Sequence, residues 1–496
     1  MGVIQRQGIK NFISTYVGIV IGFVSLIWIQ PNFLTKEELG LTRLLYSFSM
    51  MVAMFVPLGI GNATTKYFPL FKNAEKKHYG YFSFMLLFPL LGYTIACIAL
   101  WFFKDLIFAQ YIKESKLFLE FFNYVFPLTL IISLISCLNV YCYVHFKSTI
   151  PAFLNDVVSR ILVIVVVTVY YLKWIDFNQF IFCYVALYAL QVLLLLAYIF
   201  VFDTITFKID WSYFKQKQFL KLINYGLLLW FAGVASVGLK YFDSIMIGKY
   251  LPIEFVAIYA IAAFITTVIE APLTAVEKIA ASKISFAWAD NNKTEILDIY
   301  KKSTLYMLLL GGFVFLIINI NIKSLLTFLP AGYQQGASVT LILSIGTLFN
   351  MATGLNAPIL FNSDKYKYGA LFLIALAVLT LLLQMWLIPI YGINGAAIAT
   401  AASYMFYNSV LFAFVFRYFK LQPFTRNNIQ VLLFIILIFG LHFFMPTLSN
   451  TYFDIIYKSI CITILYAGVV LKMQWLAEFN TYIPAFILKL FNIKTI

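Results

Sequence analysis

The feature that most constrains this chain is its first apolar segment, Phe12 to Phe33, and the recurrence of such segments to the C-terminus. A helix crosses about 30 Å of hydrocarbon with about 20 mostly apolar residues. Segments of that kind lie near 12–33, 44–65, 80–103, 119–143, 155–174, 180–202, 222–241, 255–275, 303–322, 339–361, 368–388, 395–415, 428–447 and 455–471, fourteen in all. With 63% hydrophobic and 11% charged residues in 496, a water-soluble fold has too little polar surface to cover its exterior. The runs are too long and continuous for alternating barrel strands. The sequence therefore predicts an all-α membrane protein. The first segment exceeds a signal-peptide core and lacks a small-residue cleavage site, so it reads as a retained span.

The net charge of +15 would suggest a nucleic acid partner in a soluble protein, but its distribution excludes that reading here. When the inter-span segments are assigned to alternate sides, 25 of the 35 Lys and Arg fall on the side of the N-terminus. The positive-inside rule then places both termini in the cytoplasm, which an even number of spans permits. The expected location is a bacterial cytoplasmic membrane. Ile209 to Lys221 alternates aromatics with lysines and suggests an interfacial amphipathic helix. The stretch between about 276 and 302 reads as the longest loop.

Shifting the chain by 217 residues lays Ala63 and Lys66 on Ala280 and Lys283, Leu34 and Glu37 on Leu251 and Glu254, and Leu138-Asn139 on Leu355-Asn356. One shift keeps the spans in phase from the first to the fourth. The expected organisation is a six-helix lobe (1–203), an interfacial linker (204–221), a second six-helix lobe (222–416), two extra helices (417–471) and a cytoplasmic interfacial tail (472–496). Two like-oriented halves related by a pseudo-two-fold along the membrane normal form a transporter architecture with its site near the midplane.

Ionisable groups inside spans cost about 2.5–3.5 kcal/mol each at the helix centre on insertion scales. Asp156 and Arg160 open the fifth span, Lys240 and Asp243 close the seventh, and Glu270 precedes Pro272 in the eighth. Arg6 and Lys10 share a face as the chain enters the first span, and Asn139 and Asn356 occupy equivalent places in the fourth and tenth. One reading lines a wet cavity with these groups, suited to an anionic head group. The other makes the Asp/Arg and Lys/Asp pairs local ion pairs, the asparagines helix bridges, and Lys66 and Lys283 cytoplasmic anchors. Pro57 with Gly59 and Gly61, Pro127 and Pro272 break their spans, as transporter helices tolerate where a cavity or neighbours satisfy the freed backbone.

Scattered His78, His145 and His442, with no HExxH or carboxylate cluster, give no hydrolase or metal signal. The five cysteines lie in apolar stretches without CxxC spacing. No cofactor or metal is expected, and the chain is read as a transporter and not an enzyme.

MGVIQRQGIKNFISTYVG, FLTKEELGLTRLL, KYFPLFKNAEKKHYGYF, LKLINYGLLL, YFDSIMIGKYL, ISFAWADNN and YGINGAAIAT, in that order, resemble the bacterial polysaccharide and O-antigen flippases. These belong to the multidrug/oligosaccharidyl-lipid/polysaccharide exporter superfamily. The resemblance implies two six-helix lobes in a V that alternate between inward- and outward-open states. It implies as cargo an undecaprenyl-diphosphate-linked oligosaccharide, a repeat unit of O-antigen, capsule or exopolysaccharide. It also nominates Arg6, Lys10, Arg43, Lys240 and Glu270 as cavity residues, with Asp156, Arg160, Asp243, Asn139 and Asn356 as secondary candidates. Membrane lipids and a polysaccharide polymerase or glycosyltransferase are the implied partners. The alternative is a cation-coupled drug exporter of the same superfamily, for which Glu270 is the argument. A membrane-embedded glycosyltransferase would need a larger outer loop than any here.

Overall fold

In the computed structural model the described residues are 3–73, 75–212 and 216–475, all helices and connections without a strand among them. The chain separates into two compact units, Met1–Ala260 and Ile261–Ile496.

The first unit contains α1 (Val3–Phe23), α2 (Lys36–Ala53), α3 (Ile60–Phe71), α4 (Tyr81–Phe102), α5 (Val125–Val144), α6 (Ser159–Tyr171), α7 (Phe177–Phe202) and α8 (Gln216–Tyr250). α9 (Glu254–Ala289) runs out of it into the second unit, which holds α10 (Lys293–Leu326), α11 (Gly336–Thr353), α12 (Tyr366–Tyr391), α13 (Ile393–Phe419), α14 (Arg426–Leu441) and α15 (Thr451–Lys472). Among the described residues, twelve helices are long and apolar enough to cross a membrane. The two remaining expected spans fall on the interrupted pair α2–α3 and on α8.

Local sequence explains where these helices start. Thr35 and Glu38 form a reciprocal capping box at α2, and Asp176 and Gln179 do the same at α7. Each box satisfies two backbone N–H groups that a helix leaves open at its N-terminus. Asn292 caps α10 and Asn450 caps α15. Large apolar side chains remain exposed along the helices, Trp101 at 75%, Val201 at 83% and Trp386 at 64% among them. In water such a surface would aggregate; against lipid it is the exterior.

Two expectations are corrected. The stretch 276–302 is not a loop: α9 continues helical to Ala289 and α10 starts at Lys293. Its buried face holds it there, with Ile284 and Ala287 enclosed and the Trp288 indole donating to the Ile359 carbonyl at 3.1 Å. The segment after α7 does not begin as a helix at Ile209 where it is described. Residues 203–212 are non-helical and pinned to the first unit, Ser83 Oγ donating to Thr206 O at 2.9 Å and Asp210 N–H to Tyr79 O at 3.1 Å. The helix that resumes at Gln216 is α8 itself.

Candidate functional site

The second span is broken where Pro57 and Gly59 predict it. α2 stops at Ala53 and α3 begins at Ile60, with Leu58 at φ +46° and Gly59 at φ +78° between them. The left-handed region suits glycine, which has no Cβ to clash. The break is gripped from two sides: a Cβ on Gly59 would lie 2.1 Å from the Gly226 carbonyl oxygen of α8, and one on Gly92 of α4 would lie 1.9 Å from Val56 O. Beside the break, α2, α3, α5 and α8 line a half-open cavity of about 320 Å³. Its polar lining is Asn62, Thr65, Ser133 and Ser136, with Met54 and Trp230 among its other walls. The Trp230 indole donates to Met54 O at 3.0 Å and stands between this cavity and a second, apolar one of about 430 Å³.

Further along α2 lies a charged cluster. Arg43 donates from Nη2 to Gln30 Oε1 at 2.6 Å, and Gln30 donates to Ser25 Oγ at 2.8 Å. The Arg43 Nε is buried without a hydrogen-bond partner. Ser25 sits in a π-helical turn, Val24–Ile29, and Asp156 sits in another, Leu154–Val158. Such wide turns re-aim side chains and often mark functional places. Asp156 accepts from Thr15 Oγ1 at 3.0 Å, while the Arg160 guanidinium donates to the Gly18 carbonyl. Both therefore reach across to α1, which approaches so closely that a Cβ on Gly18 would lie 2.6 Å from Asp156 O. Tyr46, Tyr184, Tyr188 and Tyr241 form an aromatic chain here, Tyr46 lying 5.5 Å from Tyr188 and 6.2 Å from Tyr241.

The other nominated residues are dispersed. Lys10 is exposed on α1, and the Arg6 side chain lies outside the described ones. Lys240 is exposed on α8, and Asp243 accepts the Tyr259 hydroxyl at 2.6 Å. Glu270 is half-buried on α9. Asn139 has its Oδ1 buried without a partner; Asn356 accepts the Tyr300 hydroxyl and leaves its Nδ2 buried and unpaired.

Three groups were not singled out by sequence. His78, His145 and Asp203 bring their side chains together, ligand-type atoms lying within 4.8 Å of one another. His78 Nδ1 accepts the Asn73 N–H at 3.0 Å, so its Nε2 carries the proton that faces Asp203 Oδ1 at 3.1 Å. A metal would need a lone pair at that nitrogen, so these residues fit a hydrogen-bonded cluster and not a ligand set. Tyr141 donates to Asp203 Oδ2 at 2.5 Å. Burial raises the Asp203 carboxyl, but hydrogen bonds from His78 and Tyr141 and the neighbouring imidazoles prevail and hold it at about 2. The second group is Glu277, seven residues after Glu270 on α9, pushed up to about 7 by burial and by the charge of Glu270. The third is an ion pair buried in α15, where Lys458 Nζ lies 2.7 Å from Asp454 Oδ2.

Membrane-length helices with a broken span, two half-buried arginines and a polar cavity define a multi-pass membrane protein with polar groups inside its apolar exterior. The profile of the polysaccharide biosynthesis protein family matches residues 5–276, and the chain belongs to that family. No curated protein matches it by sequence. Among solved structures it is similar to a lipid II flippase, MurJ, in an inward closed conformation, at 15% identity and a TM-score of 0.70, covering 94% of this chain and 99% of that one. It is also similar to an inward-facing multidrug resistance MATE family transporter (13% identity, TM-score 0.62, 89% and 99% covered). The Vibrio cholerae MATE transporter VcmN is a third (12%, TM-score 0.56, 87% and 100%). These likenesses establish the fold of the exporter superfamily.

Proposed function

We propose that the protein moves a polyprenyl-diphosphate-linked oligosaccharide from the cytoplasmic to the outer leaflet by alternating access. The observation that carries this is Arg43, at the start of the second expected span on α2, whose guanidinium Nε is buried without a hydrogen-bond partner. A charge at the bilayer is expensive, and a guanidinium with an N–H donor still without a partner suits an oxyanion, which it binds through paired N–H groups. Arg160 adds a second positive charge to the same region. A diphosphate bearing sugars cannot cross hydrocarbon unaided; cations hold the head while the prenyl chain stays in lipid. The expected setting is the bacterial cytoplasmic membrane with both termini inside, feeding a polysaccharide polymerase or transferase.

The test is deletion of the gene with leaflet-resolved analysis of lipid-linked sugars, complemented by wild type, Arg43→Ala and Lys240→Ala. Repeat units stranded on the cytoplasmic leaflet, rescued by wild type alone, are the expected result. Glu270 and Glu277 on one face of α9 favour the second reading, a cation-coupled drug exporter. Normal glycolipid with altered dye efflux would select it.

A further inference from the structure

We infer that the cavity beside the α2–α3 break is a subsite for one uncharged sugar of the cargo. This rests on the flippase reading and adds to it a position and a chemical class. Cavities of about 300–1,000 Å³ with a few placed polar groups are the usual size for small-ligand sites. At about 320 Å³ this one takes a single sugar and not a whole repeat unit.

Its lining has the two parts a pyranose needs. An indole, Trp230, offers an apolar wall for the C–H faces of a ring, and Asn62, Thr65, Ser133 and Ser136 offer donors and acceptors for hydroxyls. Thr65 and Ser133 spend their protons on the Gly61 and Leu130 carbonyls, which leaves acceptor lone pairs toward the cavity. Asn62 and Ser136 are exposed and make no side-chain hydrogen bond among the described residues. On helices this apolar, exposed polar groups belong against water or a polar ligand and not against lipid.

The lining carries no charged side chain among the described residues. The neighbouring cation, Lys66, lies over the Tyr225 ring at 3.9 Å. An acidic sugar would find no partner here, whereas a neutral or N-acetylated one is matched. The spacing to the phosphate-binding candidate also fits. Arg43 and the cavity residue Met50 are both on α2, seven residues and hence about 10 Å apart along the axis. That leaves room for a diphosphate at one end and its first sugar at the other.

The test measures binding to the full chain in lipid nanodiscs with three probes: a polyprenyl diphosphate, the same lipid carrying N-acetylglucosamine, and the same lipid carrying glucuronate. Wild type is expected to bind the N-acetylglucosamine lipid about tenfold more tightly than the bare diphosphate, and to show no such gain for glucuronate. Ser136→Ala removes one hydroxyl from an exposed position and should cut the ratio several-fold, the worth of about one hydrogen bond. Trp230→Leu should nearly abolish it. An unchanged ratio in both variants, or an equal gain for glucuronate, overturns the subsite while leaving the flippase reading intact. Failure of all three lipids to bind overturns the flippase reading, and the subsite with it.

Discussion

His145 turns the bare Nε2 of its ring toward Asp203, 3.5 Å from Oδ2, and makes no hydrogen bond there. The other nitrogen explains why: His145 Nδ1 lies 2.9 Å from the Tyr141 carbonyl and donates its proton to it. The neutral ring therefore opposes a lone pair to a carboxylate, and only protonation would turn that contact into an ion pair.

Acid should weaken this joint in two stages. Burial lowers the His145 pKa below its usual 6.5, helped by His78 and Lys72; the Tyr141 carbonyl and Asp203 oppose this without prevailing. A folded state that binds the proton less readily than the unfolded chain loses stability as pH falls below about 6.5. Asp203, held at about 2, adds stability above its usual 3.8 that is lost as pH falls toward 2. Thermal unfolding in detergent should show the wild-type melting temperature dropping between pH 7.5 and 5.5. His145→Gln should flatten that drop and leave the loss below pH 4 in place. Equal slopes for both proteins would show that the ring is not the titrating group.

The break in the second span is rigid by construction. Gly59→Ala places a methyl 2.1 Å from the Gly226 carbonyl on a left-handed backbone, and should cost at least about 2 kcal/mol. Gly61→Ala, two residues on, meets only Val140 at 3.5 Å and should be neutral within about 0.5 kcal/mol. Melting temperatures of the pair decide whether close backbone contact or glycine content holds the break.

Much of this was legible in the sequence because it is written locally. Apolar runs gave the spans, and Pro57 and Gly59 gave the break where it occurs. Arg160 stood out because it opens an apolar run, whereas Arg43 came only from the resemblance to the flippases. The His78–His145–Asp203 cluster was not legible: its members are 58 to 125 residues apart, each unremarkable where it stands. Trp230 likewise became informative only once α8 brought it to the cavity. Glu277 was hidden by a boundary, since the lysines around it read as a loop while its own face belongs to α9. Asp454 and Lys458 did carry a signal, opposite charges four residues apart within an apolar run.

Glu277 should make the second unit sensitive to alkali. Its carboxyl is raised from an ordinary 4.5 to about 7, so the fold favours the protonated form. That contribution is complete below pH 4.5 and is lost as pH rises through 7. Glu277→Gln, which cannot ionise, should stabilise the protein at pH 8 by on the order of 1 kcal/mol and do nothing at pH 4.5. Glu270→Gln should act the same way but less, by removing the charge that helps to raise its neighbour. A Glu277→Gln protein that loses stability at both pH values would instead place an ionised carboxylate in a needed hydrogen bond.

The last helix among the described residues, α15, is tied down by charge. Asp454 is 3% exposed and Lys458 6%, and Asp454 also accepts from Ser324 Oγ on α10 at 2.8 Å and from the Leu448 N–H at 3.0 Å. Asn321 of α10 donates to Ser459 at 3.2 Å, so α15 meets α10 through polar contacts in a part of the protein where apolar packing alone has little to gain from lipid. Removing one member leaves the other as a buried uncompensated charge, a loss of about 3–5 kcal/mol. Asp454→Leu and Lys458→Met should each lower the melting temperature steeply, while the double variant should recover most of the loss because no charge is stranded. Should each single variant melt like wild type, the pair is reached by water and α15 is held by its apolar face. Should the double variant stay as low as the singles, the hydrogen bonds to Ser324 and Leu448 carry the attachment, with the ion pair only neutralising the carboxylate that accepts them.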